Sequence, residues 1–213
     1  GSVEVVTVLV AANANLDLVN KDGNSALHRA AKYGSTGVAK VLVDAKSNLN
    51  LVNNNGDSAL HWAAKIGHAD IAKILVDAEA MIDLVNKNGE SALHLAAKGR
   101  SADVARILVD AKASIDLVDK GGQSALHMAS GSADVAKILV DAKANLDFVT
   151  QSNWDSALHN AAFGGHAHVV KILVDAGAKI DRINKESRTP REVAAKWKLG
   201  NWQEAVKILD AHA

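Results

Sequence analysis

Ser25-Ala26-Leu27-His28 returns as Ser58-Ala59-Leu60-His61, Ser91-Ala92-Leu93-His94, Ser124-Ala125-Leu126-His127 and Ser156-Ala157-Leu158-His159. The histidines are 33, 33, 33 and 32 residues apart, and Thr189-Pro190-Arg191-Glu192 keeps the register with Glu192 another 33 residues on. A period of this length marks a stacked repeat protein, in which each unit is too small to bury its apolar face alone and does so against its neighbours. Such a chain is expected to bind, not to catalyse.

The segment from Asn24 to Lys46 shows how one unit is specified. Ser25 can cap a helix that starts at Ala26, with His28 at the position where a capping box often holds Glu. Leu27, Ala30 and Ala31 recur at i, i+3 and i+4, an apolar stripe whose alanines admit a close neighbour, and Gly34 can end the helix in the left-handed conformation. Val38, Val41, Leu42 and Ala45 form the stripe of a second helix. In later copies Asp70, Asp103 and Asp134 fall in the first turn of that helix, where a carboxylate complements the helix dipole. The stretch that follows, residues 48–56, alternates and ends in turn residues. It predicts an extended, hairpin-like connection with tips at Asp22-Gly23, Asn55-Gly56 and Asn88-Gly89.

A short helix opened by Ser/Thr-x-Leu-His, a turn, a longer helix and a projecting β-turn together resemble the ankyrin repeat. The resemblance covers essentially residues 3–213 and is carried by the tetrapeptide, the Ala-Ala pair, Gly67-His68-Ala69-Asp70 and the hairpin glycines, all in register. One departure is systematic: the family's Thr-Pro-Leu-His is Ser-Ala-Leu-His in five units, and only Thr189-Pro190 keeps the family dipeptide. The resemblance implies an all-α ankyrin-repeat solenoid of about six stacked helix-turn-helix units with projecting β-turn or hairpin loops. The register then gives one domain over 3–213. It comprises a half-repeat at 3–19, full repeats at 20–52, 53–85, 86–118, 119–150 and 151–183, and a capping repeat at 184–213. Residues 1–2 read as the remnant of an expression tag.

The register also shows where the repetition breaks. The histidine lies 13 residues before the Ile-Leu-Val run in a regular unit, as from His61 to Ile74, but 11 before it from His127 to Ile138. Two residues are missing around Ser130-Gly131, which predicts a shortened first helix or turn and a local irregularity in curvature over 128–154. The last unit has an insertion around residues 197–202, and Trp197 and Trp202 are expected in a C-terminal cap. At the other end Val3, Val5, Val6, Val8 and Leu9 belong to a second helix with no first helix before it. Their exposure predicts a homodimer through residues 3–14.

In the ankyrin family the hairpin tips and the exposed side of the first helix form a concave surface that recognises other proteins. Carried over by register, that surface holds Arg29 and Tyr33, then Trp62, Lys65 and Ile66, then Leu95 and Lys98, then Met128, and finally Trp154 and Phe163. These positions differ between units while the core positions repeat. The wider surface set carries ten basic residues (Lys21, Arg29, Lys32, Lys65, Lys87, Lys98, Lys120, Lys185, Arg188, Lys196) against five acidic ones (Asp22, Asp57, Glu90, Asp155, Glu186). A protein partner with an acidic surface and apolar anchors is the expectation. Trp62 has two readings, an exposed anchor or a filler of the inter-repeat position that Leu95 and Met128 occupy elsewhere.

Composition narrows the alternatives. The chain has 213 residues with 24 basic and 24 acidic side chains, so no net charge draws it to nucleic acid or to an anionic membrane. It has no cysteine, which excludes disulfides and thiolate metal sites and suits a cytoplasmic or nuclear setting. No signal peptide or membrane-spanning run is apparent. Of nine histidines, five are the repeat histidine, and stacking would hold successive copies about 10 Å apart, too far to share a metal. His166 and His168 lack an evident third ligand. Ser-x-x-His also mimics a nucleophile and its base, but five copies argue for scaffold geometry, since catalysis needs one site with an oxyanion hole. Neither a catalytic residue nor a cofactor is expected.

Overall fold

Each repeated tetrapeptide opens a helix by a reciprocal bond. The Ser58 N–H and hydroxyl both donate to His61 Nδ1, at 3.1 and 2.8 Å, while the His61 N–H returns to Ser58 Oγ at 3.4 Å. Ser25–His28, Ser91–His94, Ser124–His127 and Ser156–His159 do the same, so the imidazole fills the capping-box role that Glu192 plays beside Thr189. Two of the amide donors that a helix leaves unsatisfied at its start are thereby met in every unit. Helix ends are as clearly specified. Gly34 and Gly67 close their helices at φ 69° and 91°, a left-handed conformation that costs a Cβ-bearing residue about 1 kcal/mol or more.

The computed structural model describes residues 2–213, and the chain divides into two compact units, Gly1–Ala113 and Ser114–Ala213. In the first unit α1 is Val3–Ala11, α2 Ala26–Tyr33, α3 Thr36–Asp44, α4 Ala59–Ile66, α5 Ala69–Asp77, α6 Ala92–Lys98 and α7 Ala102–Asp110. The first helices α2, α4 and α6 pack side by side in one layer, and α1, α3, α5 and α7 form the other. Between the layers lie Leu27, Leu60 and Leu93 from the one and Leu42, Leu75 and Leu108 from the other. The alanine pairs Ala30-Ala31, Ala63-Ala64 and Ala96-Ala97 are also buried, and their short side chains let neighbouring helices approach closely.

The second unit repeats the arrangement with α8 Ala125–Met128, a 3₁₀ turn Ala129–Gly131, α9 Ala133–Asp141, α10 Ala157–Phe163, α11 Ala167–Asp175, α12 Pro190–Trp197 and α13 Trp202–Asp210. The missing two residues fall in its first helix. Whereas α2 and α4 have eight residues, α8 has four before the chain tightens into the 3₁₀ turn. The insertion near the C-terminus bends back on the preceding repeat, where the Asn201 N–H donates to Gly165 O at 2.9 Å. Gly165 has no room for a side chain there, because a Cβ would fall 1.7 Å from Leu199 O.

The predicted hairpins prove to be tight turns tied to one another. Asn20, Asn53, Asn86, Asp119 and Asn184 each accept an N–H three residues on at their backbone oxygen, and each side-chain Oδ1 collects two further N–H groups of its own turn. In the first unit successive turns are joined by Asn54 N–H to Asp22 O and Lys87 N–H to Asn55 O, both 2.9 Å. In the second, Gln151 N–H reaches Gly121 O and Lys185 N–H reaches Asn153 O, both 2.8 Å. Extended pairing is limited to the single bridges Val85–Ser91 and Val118–Ser124 among the described residues. No helix of the described residues is long and apolar enough to cross a membrane.

Candidate partner-binding surface

The turns and the first helices are locked together by the repeat histidines. His28 Nε2 bonds Asp57 O at 2.9 Å and His61 Nε2 bonds Glu90 O at 3.1 Å, each reaching into the next repeat. In the second unit His127 reaches Asp155 O at 3.2 Å and His159 reaches Arg188 O at 3.0 Å. Nδ1 accepts from the serine N–H, so the ring proton belongs on Nε2, where it is donated to the carbonyl. Burial pushes the pKa of His28, His61, His127 and His159 below the ordinary imidazole value, against the carbonyl bonds, which favour the charged form. Each ring is thus held neutral with both nitrogens engaged, and each serine hydroxyl is buried in its cap. His166 and His168 stand apart from this pattern, and no group of three or more potential metal ligands converges among the described residues.

On this frame the first unit presents Arg29, Lys32 and Tyr33 from α2 and Trp62, Lys65 and Ile66 from α4. Tyr33 is 64% exposed and Ile66 50%. Cations and rings interleave. Arg29 and Lys32 each lie 5.7 Å from the Tyr33 ring centroid, and Lys32 and Lys65 lie 4.8 and 5.3 Å from that of Trp62. Trp62 is half-buried, with its Nε1–H enclosed and lacking an acceptor. The half-buried indole has Lys32 of α2 and Lys65 of α4 over its ring.

Leu95 and Lys98 fare differently from their neighbours. Leu95 is buried and cannot serve as an exposed anchor; it lines the bottom of a hollow of about 360 Å³ bounded by Asn55, Asp57, Lys65, Asn86, Lys87, Asn88, Glu90 and Lys98. Lys98 is tied to Glu90 at 2.9 Å. Glu90 is 5% exposed; burial pushes its pKa up, but hydrogen bonds from Lys98, Asn86 and Asn88 outweigh that and hold the carboxyl below its usual range.

In the second unit Met128 ends the shortened α8 and is half-buried. Trp154 occupies the residue added to the turn at 150–155, at φ 59°, with Thr150 replacing the usual Asn or Asp. Trp154 is 53% exposed, and Lys185 lies 5.4 Å from its ring centroid. Phe163 meets Trp197 edge to face at 5.4 Å. That pair walls a hollow of about 260 Å³ shared with Asn153, Asp155, His159, Asn160, Asn184, Glu186 and Val193. Asn86 and Asn184 escaped the sequence reading. Their Nδ2 groups anchor Asp57 at 2.9 Å and Asp155 at 2.8 Å, and only their recurrence two residues before the hairpin tip could have signalled them.

Two helical layers joined by stacked turns, with fixed histidine ties and a variable face, define a repeat protein of the helix-turn-helix kind. The chain belongs to the ankyrin-repeat family. The profile described as Ankyrin repeats (3 copies) matches residues 1–86 and 77–151, and that described as Ankyrin repeat matches 153–185. Among solved structures, the ankyrin repeat domain of Bcl-3, described as a unique member of the IkappaB protein family, is similar with a TM-score of 0.79 and 26% identity over 98% of this chain and 91% of that one. A search of curated proteins returns no match.

Proposed function

We propose that this ankyrin-repeat protein is a non-catalytic binding module that engages a protein partner through its hairpin and first-helix groove, and that the partner is acidic with apolar anchors. The observation that carries this reading is the interleaved surface of the first unit. Tyr33 and Ile66 are exposed, and around them Arg29, Lys32 and Lys65 have no carboxylate within ion-pair distance among the described residues. Aromatic and arginine side chains concentrate binding energy in interfaces, and uncompensated cations add steering toward an acidic partner. Trp154, Phe163 and Met128 supply the apolar contacts of the second unit. Selection of peptides from a random display library tests this. Enriched sequences should combine Asp or Glu with large apolar residues and lose affinity with Tyr33→Ala or Trp62→Ala. Enrichment of basic or purely polar sequences would refute it.

A second reading rests on α1, where Val5, Val8 and Leu9 are 58%, 67% and 48% exposed. Burying such a face stabilises association by roughly 25 cal/mol per Å² before the costs of ordering. In this reading the chain self-associates through residues 3–14. Light scattering that shows a monomer at all concentrations would end it.

A further inference from the structure

The hollow above Leu95 has two acids in its lining, Glu90 engaged at both oxygens and Asp57 at one. Glu90 accepts from Lys98 at Oε1 and from Asn86 and Asn88 at Oε2, at 2.9, 3.1 and 3.3 Å. Asp57 is buried and accepts Asn86 Nδ2 at 2.9 Å. By contrast, among the described residues Lys65 and Lys87 have no carboxylate in ion-pair range, and the Asn55 side chain makes no hydrogen bond. Lys65 leans on the Trp62 ring instead. Lys65, Lys87 and Asn55 thus line a cleft together with the buried Leu95, beside Asp57 and the Glu90 that Lys98 neutralises.

We propose that this hollow is a carboxylate subsite, taking an Asp or Glu side chain of the partner peptide between Lys65 and Lys87 with Asn55 donating to it. The proposal rests on the groove reading above and narrows it to one position. It also places an acidic partner residue beside the apolar contact at Tyr33 and Ile66. Lys32 and Arg29, likewise free of carboxylate partners, extend the favourable potential toward the apolar contact. Because the pairing is solvent-exposed, it supplies selectivity and salt-dependent attraction more than affinity.

An NMR titration of the whole chain at low salt tests the subsite without any partner, using acetyl-Glu-Glu-amide as the probe and acetyl-Gln-Gln-amide and the phosphoserine dipeptide as controls. The Asn55 and Asn88 side-chain amides should move saturably with the Glu probe and stay still with Gln. The Lys65→Gln, Lys87→Gln double variant should weaken binding about fivefold. Equal response to Gln, or an unchanged response in the double variant, overturns the proposal. Phosphoserine binding more than about tenfold tighter overturns it in favour of a phosphate site. If the dipeptide fails to bind while selected peptides still depend on Tyr33, the subsite falls and the groove stands. If the dipeptide binds and peptide selection is indifferent to Tyr33 and Trp62, the groove reading falls instead.

Discussion

The hollow over Leu95 and the hollow over Val193 occupy the same register of the repeat, one in each unit, and they are built from the same frame with different walls. Asp57 and Asp155 both hang from an asparagine of the next turn, and His61 and His159 both bond the carbonyl at the end of that turn. Yet Lys65 becomes Phe163, Asn88 becomes Glu186, and Gly99 becomes Trp197. Both lysines that persist are engaged in the second unit, as Lys98 but not Lys87 is in the first. Lys185 donates to Gln151 O at 2.9 Å, and Lys196 lies 4.9 Å from the Trp197 ring centroid and 3.8 Å from Glu186. The fixed residues make the same bonds in both units, so changing only those that line the hollow turns a cationic cleft into an aromatic one.

The sharpest way to break this contrast is through binding. Tyr33→Ala combined with Trp62→Ala is expected to weaken a selected acidic peptide about a hundredfold or more, since anchor residues each contribute roughly 2 kcal/mol. Trp154→Ala with Phe163→Ala should cost less than about tenfold, because there Phe163 stands in place of Lys65 and Lys185 is engaged by Gln151 O. Calorimetry that finds the second pair equal to the first would erase the distinction between the units.

The shared frame can be tested by its stability. His61→Ala and His159→Ala each remove an N-cap acceptor and leave a buried carbonyl without its donor, which predicts similar losses of about 2–3 kcal/mol in denaturant unfolding. A clear inequality would mean that the two hollows do not rest on equivalent supports. Acid should act on both units alike. The folded pKa of His28, His61, His127 and His159 lies below the unfolded value of about 6.5, so their stabilising contribution is complete above that pH. As pH falls below about 6.5 the unfolded chain takes up protons that the buried rings refuse, and stability declines until the folded pKa is passed. Hydrogen-exchange protection factors in α4 and α10 should fall together as pH drops below about 6.5.

A smaller effect separates the turns. Trp154 is a bulky residue at φ 59°. Trp154→Gly should relieve that conformation and raise stability by up to about 1 kcal/mol, with no gain expected from the same change at Tyr33, which is helical. Thermal melting would show the difference. A loss on Trp154→Gly would mean that the stack of Lys185 on the indole outweighs the strain.

The scaffold is legible in the sequence because its devices are local. Ser25 and His28 meet within one turn of helix, so the cap follows from their spacing. The left-handed stop at Gly34 and the short α8 are equally near-neighbour consequences, readable as a glycine and as two missing residues. The surface is less legible. Register groups Leu95 with Trp62 and Met128, but it does not show that Leu95 is buried while Trp62 and Met128 are half-buried. Nor does it show that Lys98 is tied to Glu90, eight residues away, while Lys65 is left without a carboxylate.

The sequence by itself determined the repeat, its helices and their caps, because each depends on residues within a few positions of one another. Tertiary structure decided which variable side chains are free. That depends on the turn of one repeat lying against the helix of the next, where residues 29 positions apart compete for the same hydrogen bonds and the same space.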